Sequence, residues 1–180
     1  MRKRILKVGF DLDGVILYNP IRITRPIIAF LKSIFFNHKK PLTFYYPKSK
    51  LEKFFWRLFH LSSLFPSPGT QNIKELVKQK KIKAYLITGR YSFLENDLQH
   101  WVKKLKLKRY FQGIYFNKND EQPHLFKEKI IKKLKLDIFV EDNWDIVNYL
   151  KTQMTKNKTK KTKKTEIFWI YNLFDRKIKY

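Results

Sequence analysis

The chain contains no cysteine among its 180 residues. Disulfides, thiolate metal sites and a cysteine nucleophile are therefore excluded, and a reducing compartment is favoured. The histidines are His38, His60, His100 and His124, and they lie far apart in the sequence. This spacing argues against a zinc site, and single surface or core histidines are the simpler interpretation.

Long hydrophobic runs are also lacking. The apolar stretch near the start is interrupted by Lys7 and ends at Asp11, which is too short for a signal sequence. The most apolar helix-like run, residues 26–36, contains Lys32 and cannot span a bilayer of the usual thickness. The sequence therefore predicts a cytoplasmic protein with no membrane span.

Acidic residues are few, with 15 Asp and Glu against 40 Lys and Arg, for a formal net charge of +25. A basic surface attracts phosphates, so a nucleic-acid partner is one interpretation. The lysines are spread over most segments, however, as codon bias in a low-GC genome would produce, and nucleic acid is not the favoured partner. Residues 154–165 are basic and low in complexity, which predicts a loop joining two core elements.

Two carboxylates follow an apolar segment near the start of the chain. Residues 5–10 predict a buried strand, and Asp11, Asp13 and Gly14 come directly after it. Two acids at a strand end repel each other unless a cation or a reaction uses them. One could hold a divalent cation and attack an electrophile while the other transfers a proton, and Gly14 permits close backbone approach to a ligand. A solvated Asp-Gly turn is the simpler alternative for this motif alone.

Three further segments weaken that alternative. Residues 82–90 and 137–142 each predict an apolar strand that ends in polar residues, and a lysine-led segment with helical apolar spacing lies between them. The polar residues at these positions are Thr88, Gly89, Arg90, Lys127, Glu141 and Asp142. Repeated strand and helix units predict a parallel sheet, and such sheets bind ligands at the carboxyl ends of their strands.

This set resembles the four motifs of the haloacid dehalogenase-like superfamily, whose members are mostly magnesium-dependent phosphatases. In motif order the matching residues are Asp11 with Asp13, Thr88 with Gly89 and Arg90, Lys127, and Glu141 with Asp142. The resemblance covers residues 1–16 and about 68–175. Lys129 or Lys132 takes the third place if the register of the helix differs.

The resemblance implies a role for each catalytic residue. Asp11 would attack phosphorus and form an aspartyl-phosphate that water then hydrolyses, and Asp13 would be the general acid and base. The Thr88 hydroxyl, the Lys127 ammonium and a Mg²⁺ ion would stabilise charge on the transferring phosphoryl group. The implied metal ligands are Asp11, Asp13, Asp142 and Glu141, with Glu141 acting directly or through water.

Gly14, Gly89 and Arg90 are the predicted substrate-binding residues. Arg90 has other interpretations, since it could pair with the acids or cap the helix that follows it. Asp145 likewise either orients Lys127 or caps the next helix, and the cap is the favoured role.

The predicted fold is α/β, a three-layer Rossmann-like parallel sheet with a small helical cap inserted after the first strand. Residues 1–16 and 67–180 would form the core and residues 17–66 the cap, with one cap helix from Thr24 or Pro26 to about residue 36. Ser49 with Glu52, and in the core Ser92 with Glu95, predict capping boxes. Candidate substrate contacts in the cap are Arg22, Arg25, Tyr45, Tyr46, Trp56 and Arg57. Alternatively, these aromatics only hold two helices together.

The predicted activity is Mg²⁺-dependent hydrolysis of a small phosphomonoester. A finer resemblance in layout, to 5′-nucleotidases of the deoxyribonucleotidase type, would make the substrate a nucleoside monophosphate. Two alternatives use the basic surface: a phosphatase acting on polynucleotide ends, and a non-catalytic nucleic-acid-binding module on the same fold.

Overall fold

The computed structural model describes residues 4–18, 42–61, 65–156 and 165–170. The predicted cap helix over 24–36, the candidates Arg22 and Arg25, and residues 157–164 of the basic stretch lie outside the described residues. Within the described part of the chain, none of the helices combines the length and hydropathy needed to cross a membrane.

Strands and helices alternate along most of the described chain. In chain order the elements are β1 (Leu6–Phe10), β2 (Leu17–Tyr18), α1 (Lys50–Leu61), β3 (Phe65–Pro66), α2 (Gly69–Lys78), β4 (Ile82–Thr88), α3 (Glu95–Lys104), β5 (Phe111–Phe116), α4 (Pro123–Leu134), β6 (Ile138–Glu141), α5 (Trp144–Lys156) and β7 (Glu166–Trp169). Two short 3₁₀ turns, Ser92–Leu94 and Leu107–Arg109, precede α3 and β5.

Five of the strands form one sheet in the order β5-β4-β1-β6-β7, and every neighbouring pair in it is parallel. β1 lies at the centre, so that Phe10 is paired with Leu86 of β4 on one side and Val140 of β6 on the other. The carboxyl ends of β1, β4 and β6 therefore meet at one edge of the sheet.

Helices cover both faces of this sheet. Ala84 and Leu86 of β4 belong to a buried cluster with residues of α2 and α3, whereas Ile87 belongs to a second cluster with residues of α4 and α5. The alternation follows from the two-residue period of a strand buried on both faces. The predicted three-layer α/β fold is confirmed.

The chain leaves and re-enters the core through a short antiparallel neck. Leu17 of β2 pairs with Pro66 of β3, and Tyr18 pairs with Phe65. The hydroxyl of Thr70 donates to the Ile16 carbonyl at 2.8 Å, which fixes the returning chain against the turn after β1. The boundaries of the predicted cap, residues 17–66, stay a prediction.

Helix α1 lies between β2 and β3 in the inserted segment and begins at the predicted capping box. The Glu52 backbone N–H donates to the Ser49 hydroxyl at 3.1 Å, and the Ser49 backbone N–H donates to the Glu52 carboxylate at 3.1 Å. Both bonds satisfy backbone donors that the first turn of a helix leaves without helical partners.

Two local expectations are wrong. Ser92 and Glu95 form no capping box, because both the backbone N–H and the hydroxyl of Ser92 donate to the Asp120 carboxylate, at 2.6 and 2.8 Å. Lys127 does not open its helix, since α4 already begins at Pro123. Proline suits the first helical position because its φ is fixed in the helical range. It lacks a backbone N–H, but an N–H at that position would have no partner within the helix.

Candidate active site

Four polar residues converge at the carboxyl edge of the sheet. Asp11 follows β1, Thr88 ends β4, and Glu141 and Asp142 end and follow β6. Each is at most 5% exposed. The Asp11 backbone N–H donates to the Val140 carbonyl at 3.0 Å, which extends the pairing of β1 and β6 up to the acidic residues.

The turn after β1 is tight and places Asp13 beside the end of β4. The Leu12 carbonyl accepts backbone N–H bonds from Ile16 and Leu17, at 3.0 and 2.8 Å. Gly14 has a φ of 84°, a conformation that side chains with a Cβ disfavour. The predicted glycine is therefore required by the turn itself, and its contact with substrate stays a prediction.

Lys127 joins two of the acidic residues. Its ammonium lies 3.0 Å from the Asp11 carboxylate and 2.6 Å from the Glu141 carboxylate, and the residue is 2% exposed. Gly89 makes this approach possible, because a Cβ there would lie 2.8 Å from Pro123 Cβ and would push α4 away. The structure thus brings together residues of the first, third and fourth sequence motifs.

The pKa values of this pair reflect burial and neighbouring charge. Burial alone would lower the pKa of Lys127, but the carboxylates of Asp11 and Glu141 together raise it above its ordinary value. Burial, with the nearby charges of Asp11 and Asp142, raises the pKa of Glu141 to about 8 despite the opposing effect of Lys127. Lys127 is therefore charged, and its ammonium offsets part of the negative charge of the neighbouring carboxylates.

Three carboxylates of this site are placed for one cation. Asp11, Glu141 and Asp142 each offer an oxygen, and these oxygens lie within 4.8 Å of one another. Carboxylate oxygens are the ligands that Mg²⁺ prefers, with water and substrate phosphate completing the shell. A divalent cation at this point would also offset the repulsion among these carboxylates and favour the ionised form of Glu141. The residues fit the predicted magnesium.

Asp13, the fourth predicted ligand, lies outside that cluster and faces Arg90. The guanidinium donates from Nε to Asp13 Oδ2 and from Nη2 to Asp13 Oδ1, both at 2.7 Å. Its Nη1 donates to the Asp97 carboxylate. Burial alone would lower the pKa of Arg90, but both carboxylates raise it, so the guanidinium is charged. Of the interpretations of Arg90, pairing with an acid is the one observed.

Thr88 connects this pair to the end of β4. The Arg90 backbone N–H donates to the Thr88 hydroxyl at 3.3 Å, and Thr88 is 1% exposed. Its predicted role, stabilising the phosphoryl group through the hydroxyl, stays a prediction.

The loop after β6 is held by residues that the sequence analysis did not single out. Asn143 caps α5, since its side-chain oxygen accepts the backbone N–H groups of Asp145 at 3.0 Å and Ile146 at 3.4 Å. The cap expected of Asp145 thus belongs to Asn143. The Trp169 indole donates to the Asp142 carbonyl at 2.9 Å and supports the loop from β7.

Asp97 is a third residue that sequence reasoning missed. It lies in the first turn of α3, where an acidic residue is ordinary because it favours the helix dipole. Its second role is to bind Arg90, which is close to it only in the folded protein. No local sequence pattern indicates that contact.

Comparison with known proteins bears on the fold. No protein-family model matches the chain, and no curated protein matches its sequence. Among solved structures it is similar to a protein of Lactobacillus delbrueckii subsp. bulgaricus provisionally named a phosphoglycolate phosphatase, with 12% identity over 92% of this chain and 85% of that chain and a TM-score of 0.52.

Two further solved structures have similar coverage. A protein of Thermotoga maritima provisionally named a β-phosphoglucomutase has 17% identity over 82% of this chain and 81% of that chain, with a TM-score of 0.49. A haloacid dehalogenase family enzyme of Bacteroides thetaiotaomicron, in complex with magnesium and inorganic phosphate, has 15% identity over 83% and 91%, with a TM-score of 0.46.

The likeness to the Lactobacillus protein, together with the parallel sheet and its strand order, defines the class of fold. This chain has an α/β fold with a Rossmann-like parallel sheet, similar to the fold of the Lactobacillus protein.

Proposed function

We propose that this protein is a Mg²⁺-dependent phosphomonoester hydrolase of the haloacid dehalogenase-like type, with Asp11 as its nucleophile. The observation that carries the proposal is the buried cluster of Asp11, Glu141 and Asp142 bridged by Lys127. A negatively charged cluster at the carboxyl edge of the sheet can accept an anionic phosphoryl group only when cations offset its charge. Phosphoryl transfer uses such cations, here Lys127 and Mg²⁺.

In the first step a carboxylate oxygen of Asp11 attacks phosphorus, and the bond from phosphorus to the ester oxygen breaks. Asp13, in its carboxylic acid form, gives its proton to the departing oxygen, so an alcohol leaves and Asp11 carries the phosphoryl group. Lys127 reduces the repulsion between the Asp11 carboxylate and the incoming phosphate. When bound, Mg²⁺ supplies Lewis-acid stabilisation of the phosphoryl oxygens.

In the second step water attacks the same phosphorus atom. Asp13 takes the proton from this water, the bond between Asp11 and phosphorus breaks, and inorganic phosphate leaves. The proton given in the first step is thereby restored, and Asp11 returns to its carboxylate form.

The proposed substrate class is nucleoside monophosphates, which would be selected by the inserted segment. Support comes from aromatic residues beside the second motif. The Tyr91 hydroxyl donates to the Tyr45 carbonyl at 3.3 Å, and the rings of Tyr45 and Trp56 lie 6.1 Å apart at 48°. The ring of Tyr45 is exposed, and an exposed aromatic ring can stack on a base. A panel of nucleoside monophosphates and sugar phosphates tests this, and equal activity on both sets would contradict it.

Hydrolysis of 4-nitrophenyl phosphate tests the activity itself. We expect wild-type turnover with Mg²⁺, none with EDTA, and a loss of at least about 10³-fold in kcat for Asp11→Asn. Asp137→Asn is the matched control, since Asp137 is equally buried, at 5% exposure, but lies before the opposite end of β6. If Asp11→Asn kept wild-type turnover with Mg²⁺, the nucleophile would be misassigned.

A further inference from the structure

Arg90 links the proposed general acid and base to a residue on another element. Its side chain is 1% exposed, and it donates to the Asp13 carboxylate through two N–H groups and to Asp97 of α3 through a third. Its backbone is bound to the Thr88 hydroxyl. One buried guanidinium therefore connects the ends of β1 and β4 to the first turn of α3.

Two-point binding fixes the orientation of a carboxylate. A single N–H bond leaves a carboxylate free to rotate about that bond, whereas the planar fork of arginine holds both oxygens in one plane. The orientation of Asp13 then depends on the orientation of Arg90, and Asp97 binds the Nη1 group that Asp13 does not use.

We propose that Asp97 is a positioning residue for the first chemical step, acting through Arg90 to hold Asp13 toward the departing ester oxygen. This inference rests on the proposed phosphatase activity and adds a residue that none of the four sequence motifs contains. Each Asp13 oxygen accepts one guanidinium N–H, so a change in the orientation of Arg90 changes the orientation of the Asp13 carboxylate. A misplacement of about 1 Å in such a group can cost about 10²-fold in rate.

The proposal makes a prediction about leaving groups. An ester oxygen that is a poor leaving group needs the proton from Asp13, whereas a nitrophenolate leaves well without it. Loss of the Asp13 orientation should therefore harm poor leaving groups selectively. Damage to the fold or to the active-site cluster would harm all substrates alike.

The experiment compares phenyl phosphate and 4-nitrophenyl phosphate, which are similar in shape, for wild type and Asp97→Asn. kcat/KM is the quantity to compare, because it reports the steps up to transfer of the phosphoryl group to Asp11. We expect Asp97→Asn to lower kcat/KM at least about tenfold more for phenyl phosphate than for 4-nitrophenyl phosphate. Asp97→Glu, which keeps the charge, should recover part of that difference.

Glu95→Gln is the matched control. Glu95 lies in the same first turn of α3 as Asp97, so its substitution removes one negative charge at the same helix end. We expect Glu95→Gln to leave the ratio of the two substrates unchanged. Thermal unfolding of every variant checks that each is folded at the assay temperature.

The possible failures are distinguishable. If wild type hydrolyses both substrates but Asp97→Asn lowers kcat/KM equally for both, or for neither of them, the positioning role is wrong. The proposed phosphatase activity is then unaffected. If wild type hydrolyses neither substrate with Mg²⁺, the proposed function is wrong, and the role of Asp97 is overturned with it.

Discussion

Both carboxylate oxygens of Glu141 accept hydrogen bonds from other residues of the protein. Oε1 accepts the backbone N–H groups of Asp142 at 3.2 Å and Asn143 at 3.1 Å, and Oε2 accepts from Lys127 at 2.6 Å. A glutamate reaches these groups because its longer side chain can turn back over its own loop. Such an arrangement suits an anchor for Lys127 and for the loop that carries Asp142.

His124 is a buried histidine whose proton affinity should affect stability. It is 4% exposed and packs between the rings of Phe44 and Tyr149, at 5.7 and 4.5 Å. Among the described residues its Nδ1 has no hydrogen-bond partner. Burial lowers the pKa of His124, although the charge of Glu128 opposes this.

The lowered pKa of His124 predicts a loss of stability in acid. As pH falls below about 6.5, the unfolded chain binds a proton that the folded protein does not, so the free energy of unfolding decreases. His124→Phe keeps an aromatic ring and removes the titrating group. We expect this variant to show a flatter dependence of the free energy of unfolding on pH between pH 7 and 5, measured by urea unfolding. This range spans the ordinary pKa of histidine, about 6.5. His100→Phe, at an exposed histidine, is the control. Parallel curves for wild type and His124→Phe would contradict the prediction.

The strands that carry the site were predictable, and two helix starts were not. Each site strand is a short apolar run that ends in polar residues, so β1, β4 and β6 could be identified within one or two residues. The starts of α3 and α4 depend on partners distant in sequence: Asp120 binds Ser92, and α4 packs against Gly89. Local capping patterns cannot report those partners.

The order of the strands in the sheet also could not be predicted from the sequence. Apolar periodicity identifies a strand but does not determine its neighbours, and β1 pairs with β4 and β6, which follow it by more than 70 residues. The pairing of Asp13 with Arg90 has the same cause: it needs β1 and β4 side by side. The sequence motifs indicated which residues stand at the strand ends, and the strand order determines which of them touch.

Gly9 in the central strand has no room for a side chain. A Cβ there would lie 2.5 Å from Leu136 Cδ1 and 2.9 Å from Phe139 Cδ2, and both side chains are buried. Because such overpacking forces neighbours from their preferred rotamers, we expect Gly9→Ala to destabilise the protein by about 1–3 kcal/mol. Urea unfolding measures this.

Gly69→Ala is the control for Gly9→Ala. Gly69 begins α2, and within the described part of the chain a Cβ there would meet only the Ser67 hydroxyl, at 4.0 Å. If the unfolding midpoint for Gly9→Ala were no lower than that for Gly69→Ala, the prediction would be contradicted. The core around β1 could then accommodate a methyl group without loss of stability.

Among the described residues, a large group of exposed cations lies at one edge of the sheet. Many exposed cations lie where α2, α3 and α4 end, just before β4, β5 and β6 begin. They are Lys78, Lys80, Lys81, Lys103, Lys104, Lys106, Lys108, Arg109, Lys132, Lys133 and Lys135. This is the amino edge of the sheet, opposite the candidate active site. The alternative of a polynucleotide-end phosphatase gains no support from cations in this position.

A net charge of +25 should make stability depend on salt. Like charges repel in the compact state, and added salt screens them over a Debye length that falls to about 10 Å at 0.1 M. We expect the melting temperature of the protein in EDTA to rise between 10 and 200 mM NaCl, a range that spans this screening. A neutral osmolyte at matched osmolality is the control, and a flat or falling curve with NaCl would contradict the prediction.

The paired neck of β2 and β3 has an evolutionary consequence. Leu17 lies opposite Pro66 and Tyr18 opposite Phe65, so the chain enters and leaves the inserted segment at adjacent points. Insertions, deletions or whole replacements between these points need not disturb the register of β1 or β4. Lineages that share this core could therefore exchange the inserted segment as a module while inheriting the same carboxylates at the edge of the sheet.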